Sequence, residues 1–444
     1  MRLLSLTAYI TAAVYLLPQP FPLLAGIGSM FLLAAAYPKI NPSSRIVLGI
    51  LLLLSAWLYI QAGASPSDVL MGFASNADLL GLFLFIPIVG MFMTFSGYLA
   101  SLQQVIKRRA AVKGNHPYRL SFLLMTGVGF ILNFGTMAII KQTASESFKS
   151  FHEKRLMIHT MRGFACCMLW SPYFVNVGLV LSIYDASWFN IAGWGLTAAL
   201  LYGMLAVIWL PKTKPPYDRL VEAPEAPPET KAELLPLLRY IVIFIILSMA
   251  AYIVLPLNML AVVTVLGGVF PFLYAALRRE TAPFFQHVKK EGSGVFGRMK
   301  NELAVFVTAG VFGTAVQISG TGAQLSLYLE QWTFGSVTVF TAAVLGSTIL
   351  LAVIGIHPII VIVGIGSALT PETFGVTPVY LSMLLLCSWT LATQVSPFSG
   401  QVLLASRLGN MKPVRLVKEN AGFTAAGAVL LCSFLLAGHH SGLM

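Results

Sequence analysis

Apolar residues run along this chain in long blocks, without the two-residue alternation of a half-buried strand or the one-sided stripe of a surface helix. Eleven blocks are predicted to cross a bilayer as helices, which takes about 20 mainly apolar residues each. They are 3–17, 20–37, 46–62, 79–100, 159–183 and 189–210, then 239–256, 258–277, 303–329, 378–406 and 420–438. Two further apolar stretches have a different texture. Residues 120–140 carry Gly127, Gly129 and Gly135, and the long stretch 337–369 contains Gly355, His357-Pro358, Gly364 and Gly366. Both are predicted to be re-entrant hairpins, in which a helix enters the membrane, breaks at a polar tip and returns to the same side. The expected fold class is therefore an all-α polytopic membrane protein with about 11 transmembrane helices plus two re-entrant hairpins.

The positions of the basic residues test that layout. If neither hairpin crosses, one side of the membrane receives Arg2, Lys39, Arg45, the runs from Lys107 to Arg119 and Lys149 to Arg155, and the stretches 212–239, 278–300 and 407–418. The joints on the other side, 18–19, 63–78, 184–188, 330–336, 370–377 and the tail after 438, contain no Lys or Arg. Insertion keeps basic residues cytoplasmic, so the expected location is the cell (inner) membrane, multi-pass, with the N-terminus cytoplasmic and the C-terminus external.

Composition agrees with lipid as the surrounding partner: 57% of residues are hydrophobic, 10% are charged, and the mean hydropathy is +0.82. That excludes an ordinary soluble domain. The net charge of +12 would suggest nucleic acid in a soluble chain, but here it is gathered at one membrane face, and no nucleic-acid partner is expected. The basic start and apolar run to Leu17 resemble a signal peptide without a small-x-small cleavage site before Pro18-Gln19-Pro20, so they are read as a retained span. Cys166, Cys167, Cys387 and Cys432 lie in apolar blocks without metal-ligand spacing and are read as packing residues.

The two halves share words at a nearly constant offset. Phe95-Ser96-Gly97 closes one span, and Ile318-Ser319-Gly320 lies 223 residues later. Leu132-Asn133-Phe134-Gly135 in the first hairpin is matched by Ile356-His357-Pro358, 224 later. Ser171-Pro172-Tyr173-Phe174, with Leu179, Leu181 and Ser182, recurs 225 later as Ser396-Pro397-Phe398-Ser399, with Leu404 and Ser406. An odd number of crossings separates the copies, so the second is expected upside down, the inverted-topology plan of secondary transporters. The expected organisation is an extra span at 1–19, a first repeat at 20–210 with its hairpin at 120–141, and a Pro- and Glu-rich cytoplasmic linker at 211–238. A second repeat at 239–438 with its hairpin at 337–369 and an external tail at 439–444 complete it.

In this layout of a span ending in Ser-Gly, a hairpin and a helix broken near proline, given twice, the sequence resembles the ion transporter superfamily, which includes divalent-anion/sodium symporters and citrate and arsenite carriers. The resemblance extends over nearly the whole chain. It implies a secondary active transporter working by alternating access on a small, anionic, carboxylate-like solute, and a homodimer. Carried to matching positions, it implies a substrate site at Asn133, Phe134, Gly135 and Thr136, at His357 and Pro358, and at the breaks Ser171-Pro172 and Ser396, Pro397, Ser399 and Gln401. Sodium symporters of the group carry Ser-Asn-Thr at each tip, and this chain does not, so the coupling ion stays open between H+ and Na+. No cofactor is implied.

The residues themselves allow two uses at most of these places. A proline inside a span frees a backbone carbonyl, so the Ser-Pro pairs mark either local openings or packing kinks. Asn176, Ser399 and Gln401, just beyond the breaks, can line a site or join helices. Lys141 and Arg162 are candidate charge partners for an anion, or cations snorkelling to the interface. His357 can bind an anion, take a coupling proton or be a structural histidine. Glu302, Glu330 and Asp78 fall near span ends. No HExxH, GxSxG, P-loop or paired-acid motif occurs, so neither an enzyme nor a metal site is expected. The rival reading is a non-transporting accessory or sensor protein of envelope assembly that retains the transporter fold.

Overall fold

The computed structural model describes residues 2–15, 21–112, 117–184, 186–210, 219–220, 231–292 and 294–444. The chain opens with α1 (Arg2–Tyr15), α2 (Phe21–Ala36), α3 (Pro42–Gln61) and a short α4 (Pro66–Ala74) that leads into α5 (Ala77–Phe95). Then come α6 (Tyr98–Val112), α7 (Pro117–Leu132), α8 (Phe134–Ser147), α9 (Glu153–Met168), α10 (Val175–Ile183) and α11 (Trp188–Ile208). The rest runs through α12 (Lys231–Val254), α13 (Met259–Leu277), α14 (Thr281–Gly292), α15 (Val295–Ile318) and α16 (Thr321–Trp332). It ends with α17 (Val337–Val353), α18 (Pro358–Ala368), α19 (Pro378–Val395), α20 (Gly400–Leu408) and α21 (Pro413–His440). A short antiparallel ladder joins β1 (Phe148–Ser150) to β2 (Arg219–Leu220).

Among the described residues, nine helical segments are long and apolar enough to cross a membrane, or ten if α16 and α17, bent by 115°, count as one span. The protein is therefore a multi-pass, all-helical membrane protein. In hydrocarbon no water is present to bond exposed peptide groups, and a helix satisfies its own. Burial separates centre from rim: an 18-residue apolar stretch of Pro378–Leu408 is 94% buried, whereas those of Ser44–Gln61 and Leu234–Val254 are 22% buried. On those rim helices Leu53, Ile60, Ile253 and Val254 point outward, where lipid replaces water as their neighbour.

Several expected boundaries move, each for a local reason. The blocks 79–100 and 303–329 both run too far, because α5 and α15 end at Phe95 and Ile318, and after the caps Ser96 and Ser319 the chain turns left-handed at Gly97 (φ 74°) and Gly320 (φ 68°). Only glycine takes that conformation without strain. The expected joint 63–78 is largely helical, since Ser65 and Asp68 form a capping box that starts α4. The block 159–183 is divided into α9 and α10, 3–17 falls on α1 as far as Tyr15 with 16–17 outside the described residues, and 420–438 extends to α21, with Pro413 in its first turn. Of the linker 211–238, residues 219–220 pair with β1 and α12 takes over from Lys231, while 211–218 and 221–230 lie outside the described residues, as does the joint 18–19.

Both expected hairpins are pairs of helices packed on each other. α7 and α8 hinge at Asn133, whose φ is 51°, and α17 and α18 hinge over residues 354–357, where Gly355 has φ 107°. α7 lies on α9 and α17 on α19. The two parts of the chain also interlock: α5 packs on α13 and α15 on α3, and α8 meets α20 while α18 meets α10.

Candidate functional site

Pro172 and Pro397 lack the N–H that would continue a helix. α9 accordingly stops at Met168 and α19 at Val395, and the helices resume only at Val175 and Gly400. Side chains satisfy the freed carbonyls. Asn176 Nδ2 donates to Met168 O (2.7 Å), Ser399 Oγ to Thr393 O (2.7 Å), and Ser171 Oγ reaches Phe130 O on α7 (2.9 Å). Those three polar groups hold the breaks in shape.

The breaks and the hairpin hinges meet around one cavity of about 100 Å³. Four helices present their first turns to it: α8 through Asn133 and Phe134, α10 through Phe174, Val175 and Asn176, α18 through His357 and Ile359, and α20 through Ser399, Gly400 and Gln401. The helix dipole makes each first turn electropositive, and Ser399 Oγ caps the Val402 N–H of α20 (3.4 Å). Phe164 and Met168 of α9, Trp389 and Thr393 of α19, Phe83 of α5, and Glu302, Val305 and Phe306 of α15 close the walls.

Polar atoms in this cavity are left without partners. Gln401 is buried, and neither its Nε2 nor its Oε1 has a hydrogen-bond partner among the described residues; the same holds for Asn133 Oδ1 and Glu302 Oε2. Leaving a buried polar atom bare costs about 1–3 kcal/mol, so several around one space favour an occupant that bonds them. Nδ1 of His357 accepts the Ile359 N–H (3.3 Å), which leaves Nε2 as the donor of the neutral ring. Around these groups Phe134 stacks on Phe164 (4.9 Å), Phe164 meets Phe174 edge-on (5.0 Å) and Phe83 packs on Phe306 (5.1 Å). Glycine at 400 permits this closeness, because a Cβ there would sit 3.1 Å from the Phe134 ring.

Of the residues expected at a site, Asn133, Phe134, Asn176, His357, Ser399 and Gln401 line the cavity. The others lie elsewhere. Gly135 is exposed behind the first tip, Thr136 is buried there, and Pro358 opens α18. Ser171 is turned toward α7, and Pro172 lines a separate cavity of about 50 Å³ with Ser182, Tyr252 and Asn258. Ser396 is buried as the C-cap of α19, and Pro397 is half-buried beside it. Neither expected cation is in the cavity. Lys141 forms an ion pair with Glu153, and Arg162 is fully buried, donating to Asn420 Oδ1 (3.0 Å) with its guanidinium 3.8 Å from the Phe423 ring.

Sequence reasoning passed over Glu302. A signal was present, since Asp78 precedes it by 224 positions, within the offset of the shared words. Asp78 is buried on α5, bonds its own Leu79 N–H (2.8 Å) and lies beside Ser182; Glu302 is on α15 and is acted on by the charge of Arg407, 225 positions after Ser182. No protein-family model matches the chain, and no curated protein matches it.

Proposed function

We propose that this protein is a secondary transporter that carries a small anionic solute, carboxylate-like in charge and size, by alternating access between two inverted halves. The observation that carries the reading is the cavity itself: four electropositive helix starts surround a buried Gln401 amide with both of its polar atoms bare. Broken helices aimed at a shared space are how membrane carriers hold anions, and irregular backbone at such depth is tolerated only where protein or a cavity satisfies it.

Recurrent order supports the inverted halves. The sequence of long, short, hinged and broken helices from α2 to α11 returns from α12 to α21, and both post-break helices have nine residues. Packing also pairs across the halves, α8 with α20 and α18 with α10. With the basic residues cytoplasmic, the hinge at Asn133 opens from the inside and the hinge at His357 from the outside, and each half exposes the cavity to one side in turn. The membrane is the cell membrane, the N-terminus is cytoplasmic and the C-terminus external.

The test is uptake of labelled succinate, citrate, lactate, phosphate and sulfate into proteoliposomes, with Gln401→Ala as the comparison. Saturable uptake of at least one anion, reduced tenfold or more in the variant, is the expected result. No flux for any of them, together with a partner protein that co-purifies stably, favours the accessory or sensor reading.

A further inference from the structure

A cavity built of helix starts for an anion should not contain a free carboxylate, yet Glu302 lines it. Its Oε2 is buried without a partner among the described residues, and Val305, Phe306 and Phe83 beside it offer nothing polar in exchange. Among the described residues no Lys or Arg lines the cavity. Two negative charges in so small and apolar a space repel strongly. Protonation of one of them removes the repulsion.

We propose that Glu302 couples the solute to protons: a proton from hydronium in the wetted cavity bonds to Oε2 as the anion enters, and that O–H bond breaks, returning the proton to water, as the anion leaves. This rests on the transport reading and adds the coupling ion to it. The neighbouring titratable and charged groups do not take the role instead. His357, at the head of α18, uses Nδ1 to accept the Ile359 N–H, a cap that protonation at Nδ1 would abolish. Arg407 on α20 acts on Glu302 but is exposed and outside the cavity. The elements packed on α15 also carry Lys39, Arg45, Asp68, Asp78 and Glu330, and α15 itself carries Lys300; among the described residues none of these lines the cavity. Lys39 is held over the Phe296 ring, and Arg45 donates to the Pro38 and Ile40 carbonyls.

One proton taken up per anion makes apparent anion affinity fall about tenfold per pH unit once Glu302 is ionised. The first experiment needs no solute. In a pH-jump infrared difference spectrum of the purified protein, the protonated-carboxyl band that grows with acid should contain one component that is missing in Glu302→Gln and present in Glu302→Asp. A wild-type spectrum identical to that of Glu302→Gln overturns the proposal. The second uses proteoliposomes with an entrapped pH dye and external succinate, citrate or sulfate: wild type and Glu302→Asp should acidify the lumen with anion entry, and Glu302→Gln should exchange anion without moving protons. Proton movement that survives in Glu302→Gln refutes the coupling role. If none of these anions moves in wild type, the transport reading fails and the proposal with it, whatever the infrared band shows; flux without Glu302 dependence sinks this proposal alone.

Discussion

Replacing Asn420 with alanine should destabilise the protein by about 2–4 kcal/mol, because Asn420 is the middle of a buried chain joining three helices. Arg162 on α9 donates through Nε to Asn420 Oδ1 (3.0 Å), Asn420 on α21 donates through Nδ2 to Gln394 Oε1 (3.0 Å), and Gln394 on α19 donates to Met161 O (3.2 Å). All three side chains are at least nine-tenths buried. The variant loses two bonds. A neutral hydrogen bond between membrane helices contributes about 0.6 kcal/mol, and up to about 1.7. The bond to the guanidinium is worth about 1.5–3, since its loss strands a buried charge whose Nη1 already lacks a partner among the described residues. The Phe423 ring keeps its cation–π contact and limits the damage. Asn420→Asp keeps the acceptor, adds a countercharge and should recover most of the loss. The assay is reversible unfolding in mixed micelles by titrated anionic detergent. A loss below about 0.5 kcal/mol for Asn420→Ala would refute the network as a source of stability.

Three further outcomes follow from other sites. Asn133→Gly should leave thermal stability unchanged, since φ is 51° there, while lowering anion uptake. Asn133→Ala should also cost about 1–2 kcal/mol in the left-handed conformation, and equal stability of the two variants contradicts this. Gly195→Ala should lower stability by about 1–3 kcal/mol, because its Cβ would lie 2.5 Å from Leu169 O, a backbone atom that cannot swing away; wild-type melting in detergent is the contrary result. Lys141→Ala should change stability by less than about 1 kcal/mol, as its pair with the half-exposed Glu153 is partly solvated, and should leave anion uptake intact; a loss of uptake would return Lys141 to the site.

Much of the helix inventory was legible because lipid requires long apolar runs, and the hinges were legible because Gly355 and His357-Pro358 interrupt one. Hydropathy misplaced the ends of α5 and α15, since the residues after Gly97 and Gly320 stay apolar enough to extend a block while the backbone has already turned. The same blindness to helix starts put Arg162 at the interface. α9 begins at Glu153, nine residues earlier, which at about 1.5 Å per residue sets Arg162 roughly 13 Å along the helix. Glu302 escaped notice because a single acid near a span end reads as solvated, and only the packing of α15 against α18 turns it inward. Asn176 and Ser399 were recognisable as polar groups beyond the breaks, but their bonds to freed carbonyls emerge only from the folded geometry.

The claim that this cavity faces the two sides of the membrane in turn is tested most directly by a single cysteine. It would be placed at Thr393, which lines the cavity, in a chain with Cys166, Cys167, Cys387 and Cys432 replaced, and exposed to a membrane-impermeant maleimide in right-side-out and in inverted vesicles. Alternating access expects labelling from both sides, slowed from both by the transported anion; labelling from one side only, whatever the anion, contradicts it.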